Sequence, residues 1–121
     1  MNLQKIRLLY VIETLGMGGA ERLVVNVLKN IDKNIFSVSV ACLFDKRQIE
    51  AELVDAGIPV ICLALPNQYH WQKAIFDLSR LIKKQRFDIV HTHLFFANIY
   101  GRIAAKMAGA KNIITTLHNP D

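Results

Sequence analysis

Cysteine is nearly missing from this chain: only Cys42 and Cys62 occur, each inside an apolar run and neither in a paired motif. That usage excludes a disulfide framework and a CxxC-type metal site, and reads as two buried free thiols. Aromatic residues make up 8% of the sequence, and the basic residues are not interleaved with them, so no stacking platform for nucleic acid is present. Long apolar runs are missing as well. No window approaches the roughly 18 uninterrupted apolar residues of a membrane span, and Met1–Lys5 leads into no signal-type core. The expected location is therefore the cytoplasm. Glycine is scarce at six residues, yet Gly16, Gly18 and Gly19 crowd into one short stretch, "ETLGMGGAER".

What is present is a globular composition of 52% apolar and 21% charged residues over 121 positions. That suits one domain, residues 1–121, with a real core. The formal charge of +5 is densest at Lys83, Lys84 and Arg86. Such a trio fits a solvated last helical turn, where cations complement the macrodipole; it equally fits a contact with anionic lipid or a phosphorylated substrate.

Short β-branched runs alternate with amphipathic segments. Strands are expected at Arg7–Glu13, Phe36–Phe44, Pro59–Leu65, Asp88–His93 and Asn112–Leu117, nearly continuous in apolar character as in a parallel sheet covered on both faces. The first helix should bury Ala20, Leu23, Val24, Val27, Leu28 and Ile31. A second follows Asp45 as N-cap, with Gly57 just past its end. A third carries the stripe Trp71, Ala74, Ile75, Leu78, Leu81 and Ile82. The fourth, near Ala97–Ala108, has small residues for close packing on the sheet. Right-handed crossovers then give an α/β, Rossmann-like, doubly wound parallel sheet of five strands in order 3-2-1-4-5, with helices on both faces. Its ligand crevice should lie at the carboxyl ends of the first and fourth strands.

Three chain tips converge on that edge. The glycine loop would aim free backbone N–H groups at a ligand, but "GMGGAE" departs from a dinucleotide fingerprint because Glu21 replaces its third glycine, and no Walker lysine follows. "DIVHTH" brings His91 and His93, with the strand end expected between them; His93 is the better functional candidate and no ligand set completes a metal site. "TTLHN" adds His118 and Asn119. No nucleophile elbow, Cys–His couple or carboxylate pair supplies a self-contained catalytic apparatus at the edge.

"GMGGAER", "FDIVHTHLFFANIYGRIAAKMAG" and "IITTLHN", in this order along the chain, resemble the N-terminal domain of family 4 glycosyltransferases. The resemblance implies one half of a GT-B architecture, in which two Rossmann-like domains face each other: the first holds the acceptor, the second the nucleotide-sugar donor. It implies a retaining transfer from a UDP- or GDP-type sugar to a glycan or lipid-linked acceptor, without a metal or other cofactor, in polysaccharide biosynthesis. Gly16, Gly18, Gly19 and Glu21 correspond to the substrate-binding loop, His93 to the histidine that positions the transferred sugar, and His118 and Asn119 to the cleft lining. "PNQYHW" falls at a variable acceptor-facing loop, where Tyr69 and Trp71 could stack on a sugar or lie on lipid, or Trp71 could anchor its helix.

The family's C-terminal donor domain has no counterpart in these residues, so a truncated fragment or a half that works with a partner chain is expected, inactive in isolation. The fifth strand would be an open sheet edge inviting self-association. Peripheral contact with the inner face of the membrane is a further expectation. The competing reading is a non-catalytic Rossmann-like module that binds a phosphorylated ligand or a partner protein.

Overall fold

A computed structural model describes residues 4–116. Five strands and four helices alternate: β1 (Ile6–Ile12), α1 (Gly19–Lys29), β2 (Phe36–Phe44), α2 (Glu50–Asp55), β3 (Val60–Leu65), α3 (Trp71–Gln85), β4 (Ile89–His93), α4 (Phe95–Ala108) and β5 (Asn112–Thr116). The sheet is wholly parallel, ordered β3-β2-β1-β4-β5, so the expected topology is the observed one. The chain reverses its direction of winding after β3, and that reversal sends the helices to opposite faces.

Alternation along each strand divides the core in two. Leu8, Tyr10, Ile12, Val38, Val40 and Cys42 pack with Val24, Val25 and Leu28 of α1 and Leu53 of α2. Leu9, Val11, Ala41, Leu43 and Val90 pack with Ala74, Leu78 and Ile82 of α3 and Ala97, Ala104 and Ala105 of α4. Each fully buried aliphatic side chain contributes about 1.5–3 kcal/mol, so this double layer carries the stability. The small-residue face of α4 does approach the sheet closely: a Cβ on Gly101 would stand 2.5 Å from Thr92 Cγ2.

Local details depart from expectation. Leu23 and Val27 of α1 face outward, 57% and 48% exposed, while Val25 is buried; the helix has rotated about one residue toward the opposite flank of its apolar arc. Asp45 caps nothing. Its carboxylate pairs with Arg47 at 3.0 Å, and α2 begins only at Glu50. Gly57, at φ +80°, does occupy the left-handed position past α2, which favours glycine. Cys42 is buried, its thiol pKa raised first by that burial, whereas Cys62 beside it in register is half-exposed. Trp71 remains 48% exposed and so does not anchor α3 deeply.

Candidate functional site

The residue just after β1, Glu13, organises the carboxyl edge. The backbone carbonyl of Glu13 accepts hydrogen bonds from Leu43 and Phe44 at 3.1 and 2.9 Å, fixing the start of the glycine loop to β2. Its carboxylate reaches the other way, accepting a hydrogen bond from the Phe96 amide. Leu94 at the N-cap of α4 offers no side-chain oxygen, so Glu13 does from a distant strand what a local Ser or Asp usually does. The turn it secures is strained: Leu94 has φ +75°, a conformation that costs a branched residue about 1–3 kcal/mol and recurs at functional sites.

The glycine loop is equally held. Leu15 is fully buried and donates to Lys46 O at 2.7 Å, and its own carbonyl accepts from Ile49 at 2.9 Å. Thr14 Oγ1 donates to Glu21 Oε2 at 3.1 Å and accepts from the Gly16 amide at 3.4 Å. Of the described glycines only Gly57 and Gly109 have positive φ, so backbone angle does not require the three loop glycines. At Gly18 a Cβ would stand 2.7 Å from the Glu21 carboxylate; the bare position lets Glu21 fold back onto the loop. At Gly19, the first residue of α1, nothing lies within 4 Å of a would-be Cβ. The chain itself gives no reason for glycine there.

Across the switch point β4 runs through His93, not short of it. His91 and His93 therefore share one face of the sheet, together with Tyr10, which pairs with His91 in register. The Tyr10 ring stacks on His93 with centroids 5.0 Å apart at 13°, and the two imidazoles lie 4.2 Å apart. His93 is buried at 6% exposure, a positioned ring rather than a protruding one. His91 Nε2 lies 2.6 Å from Thr116 Oγ1, and burial lowers its pKa; burial raises that of Tyr10. Burial thus holds both His91 and Tyr10 toward their neutral forms.

Tyr69 and Trp71 stand apart from this stack. The Asn67 side chain accepts from the Tyr69 amide at 2.9 Å, and Tyr100 of α4 donates its hydroxyl to Gln68 O at 2.6 Å. The loop is thereby pinned to α4 with Tyr69 78% exposed. A shallow hollow of about 500 Å³ runs from Thr14 and Lys46 to Asn67 and Gln68, linking the glycine loop to this one. Ala64, at φ +50°, forms part of its wall. His118 and Asn119 lie outside the described residues.

Thr14, Glu13, Tyr10 and Leu94 went unremarked in the sequence. An acidic residue closing an apolar strand, in "YVIETLG", was the one signal available for Glu13. The edge does hold two carboxylates, Glu13 and Glu21, but each is engaged by the fold, and among the described residues no three His, Cys, Asp or Glu gather as a metal site.

The profile of Glycosyltransferase Family 4 matches residues 17–121. A UDP-Gal:alpha-D-GlcNAc-diphosphoundecaprenol alpha-1,3-galactosyltransferase of Escherichia coli is 38% identical over 61 residues, half of this chain and 16% of that enzyme. The capsular polysaccharide biosynthesis glycosyltransferase CapH of Staphylococcus aureus is 25% identical over 111 residues, 91% of this chain and 30% of its own length. Among solved structures, the apo lipopolysaccharide outer core galactosyltransferase WaaB superposes on 90% of this chain with TM-score 0.65 at 19% identity, over 32% of its own length. A C-terminal domain of the PF1911 hydrogenase of Pyrococcus furiosus superposes with TM-score 0.68 at 14% identity, over 95% of that domain. Likeness at such identities speaks for the fold alone.

Proposed function

Since the chain belongs to glycosyltransferase family 4, we propose that it is the acceptor-facing half of a retaining enzyme that moves a sugar from a nucleotide-activated donor to a glycan or glycolipid. The observation that carries this reading is the family match through residues 17–121, which takes in Gly18, Gly19 and the His93 turn. The sugar nucleotide is of UDP or GDP type. UDP-Gal and a diphosphoundecaprenol-linked GlcNAc in the name of the Escherichia coli relative support a UDP sugar and a lipid-diphosphate acceptor. The matched stretches cover 16% and 30% of the two relatives, and the donor is held by a further domain or a partner chain.

In this reading Gly16, Gly18 and Gly19 bring the amide-rich start of α1 to the donor diphosphate or the acceptor. Glu21 keeps the loop in shape through Thr14. His93, backed by Tyr10 and His91, presents a fixed polar edge to the transferred sugar and stabilises charge as the bond to the nucleotide breaks. His118 and Asn119 line the same cleft, and Tyr69 and Trp71 offer aromatic faces to the acceptor. No described helix is long and apolar enough to cross a membrane.

The test uses the enzyme with its donor-binding half present and follows labelled sugar from UDP-Gal or GDP-sugars into a lipid-diphosphate GlcNAc. His93→Ala should lower kcat by roughly tenfold to a thousandfold; an unchanged kcat would remove His93 from the reaction. Titrating residues 1–121 alone with nucleotides separates the rival reading, a non-catalytic module. Tight nucleotide binding by this half alone would support the module.

A further inference from the structure

We propose that Cys42 and Cys62 form a reversible oxidation site: a peroxide oxidises Cys62, Cys42 closes an intrachain disulfide onto it, and the link reshapes the hollow that runs from Thr14 to Gln68. The inference needs no assignment of sugar transfer and concerns two side chains that the proposed reaction leaves unused.

Cys42 of β2 and Cys62 of β3 are Cα partners in parallel register, so their side chains leave the sheet on the same face, the one covered by α1 and α2. Neighbouring strands lie about 4.8 Å apart, inside the range of about 4.4–6.8 Å between Cα atoms that a disulfide accepts. The thiols interact directly: contact with Cys62 adds to burial in raising the Cys42 pKa. Among the described residues no three His, Cys, Asp or Glu gather as a metal site, which leaves the pair the chemistry of the two sulfurs themselves.

Asymmetry within the pair sets the order of events. Cys42 is fully buried, whereas Cys62 is half-exposed on the edge strand β3, so Cys62 is the one that meets an oxidant from solvent. At Cys42 the Glu50 carboxylate disfavours the thiolate and Arg47 favours it, and Arg47 also interacts with Cys62. A buried thiol in that balance is a poor first target and a well-placed second one. The Cys62 sulfur attacks one oxygen of hydrogen peroxide, the O–O bond breaks, and a sulfenic acid and water form. The Cys42 sulfur then attacks the Cys62 sulfur, the S–O bond breaks, and the Cys42 proton leaves with the hydroxyl as a second water.

Directly opposed Cβ atoms stand wider in a sheet than the roughly 3.8 Å of a relaxed disulfide, so closure must draw β2 and β3 together. The ladder can yield there, because its register shifts between Cys42 and Phe44 and Ala64, just past Cys62, has φ +50°. The Cys62 thiol donates to the Phe44 carbonyl at 3.7 Å, a bond that is lost with the thiol proton. Phe44, Ala64 and Leu65 line the hollow beside the glycine loop, so the displacement reaches its wall first. A strained link is readily reduced, as a switch requires and a permanent staple does not.

The reduced chain is exposed to hydrogen peroxide, blocked with N-ethylmaleimide and digested with trypsin, which places Cys42 and Cys62 on separate peptides, 34–46 and 48–73. A joined pair about 2 Da lighter than the two reduced peptides, abolished by dithiothreitol, is expected from a chain that stays monomeric. In Cys42→Ser the Cys62 sulfenic acid should persist and be captured by dimedone; in Cys62→Ser, Cys42 should keep its thiol. The amide resonances of Ala64 and Asn67 should shift on oxidation of the parent and return on reduction. If Cys42→Ser does not fold, the peptide map of the parent and the Cys62→Ser result decide. Sulfinic acid at Cys62 beside an intact Cys42 thiol, a disulfide between two chains, two thiols that survive peroxide, or a joined pair that leaves the Ala64 and Asn67 amides unmoved would each overturn the proposal. With no donor or acceptor present, these results leave sugar transfer to its own assay.

Discussion

The Glu13 carboxylate accepts a hydrogen bond from the Phe96 amide, joining the end of β1 to the first turn of α4 across 83 positions of sequence. It couples the two loops that flank the crevice, so the glycine loop and the His93 turn cannot shift independently.

Removing that carboxylate should therefore act on both loops. Glu13→Ala is expected to lose about 1–2 kcal/mol, the scale of a missing helix N-cap, read from a lowered urea midpoint at constant m. Glu13→Gln keeps an acceptor oxygen and should recover at least half of the loss. Equal losses in the two variants would show that charge, not the hydrogen bond, matters at this position.

The two central glycines should behave differently. Gly19→Val meets open space, so its stability should stay within about 0.5 kcal/mol of the parent, as for other surface changes, while sugar transfer by the complete enzyme drops through closure of the loop. Gly18→Ala collides with the Glu21 carboxylate and should release it from Thr14, detectable as faster amide exchange at Gly16. Unfolding by Gly19→Val would make that glycine a structural requirement.

Histidine 91 sets a pH dependence with a definite sign. Burial lowers its pKa below the ordinary 6.5, so as pH falls through that value the unfolded chain binds the proton and the folded one resists it. Stability contributed by neutral His91 is complete above the unfolded value and declines as pH falls toward the folded one. Urea midpoints between about pH 7 and pH 5 should fall less in His91→Gln than in the parent. Parallel slopes would mean that His91 does not titrate differently in the two states.

Close packing at Gly101 predicts the largest stability effect. With Thr92 Cγ2 only 2.5 Å from a would-be Cβ, Gly101→Val must push α4 off the sheet and should cost about 1–3 kcal/mol or more. Thr92→Ser, which removes the opposing methyl, should relieve part of this in the double variant. Strict additivity of the two changes would place the strain elsewhere.

Periodicity led to the five strands, and the right-handed crossovers of a Rossmann-like sheet to their 3-2-1-4-5 order and the tips on which Gly18 and His93 sit. Rotation of α1 was less legible. Leu23, Val24, Val25, Val27 and Leu28 form an apolar arc too wide to specify which edge is buried, and packing on β1 and β2 chose Val25 over Leu23 and Val27. Likewise Asp45 satisfies every local rule for an N-cap, yet Arg47 takes its carboxylate.

The sequence by itself determined the alternation of elements, the crossover order and the family, because these follow from hydrophobic period, turn chemistry and ordered motifs along the chain. Only the tertiary structure decided that Glu13 caps α4, that Tyr10, His91 and His93 form one ring stack, and that Phe95, Ile99, Ile103 and Met107 of α4 lie outside the core. Each of those depends on strand register or on the space left between packed layers. No local pattern encodes such contacts, since they are made by residues that the chain brings together only once the sheet has closed.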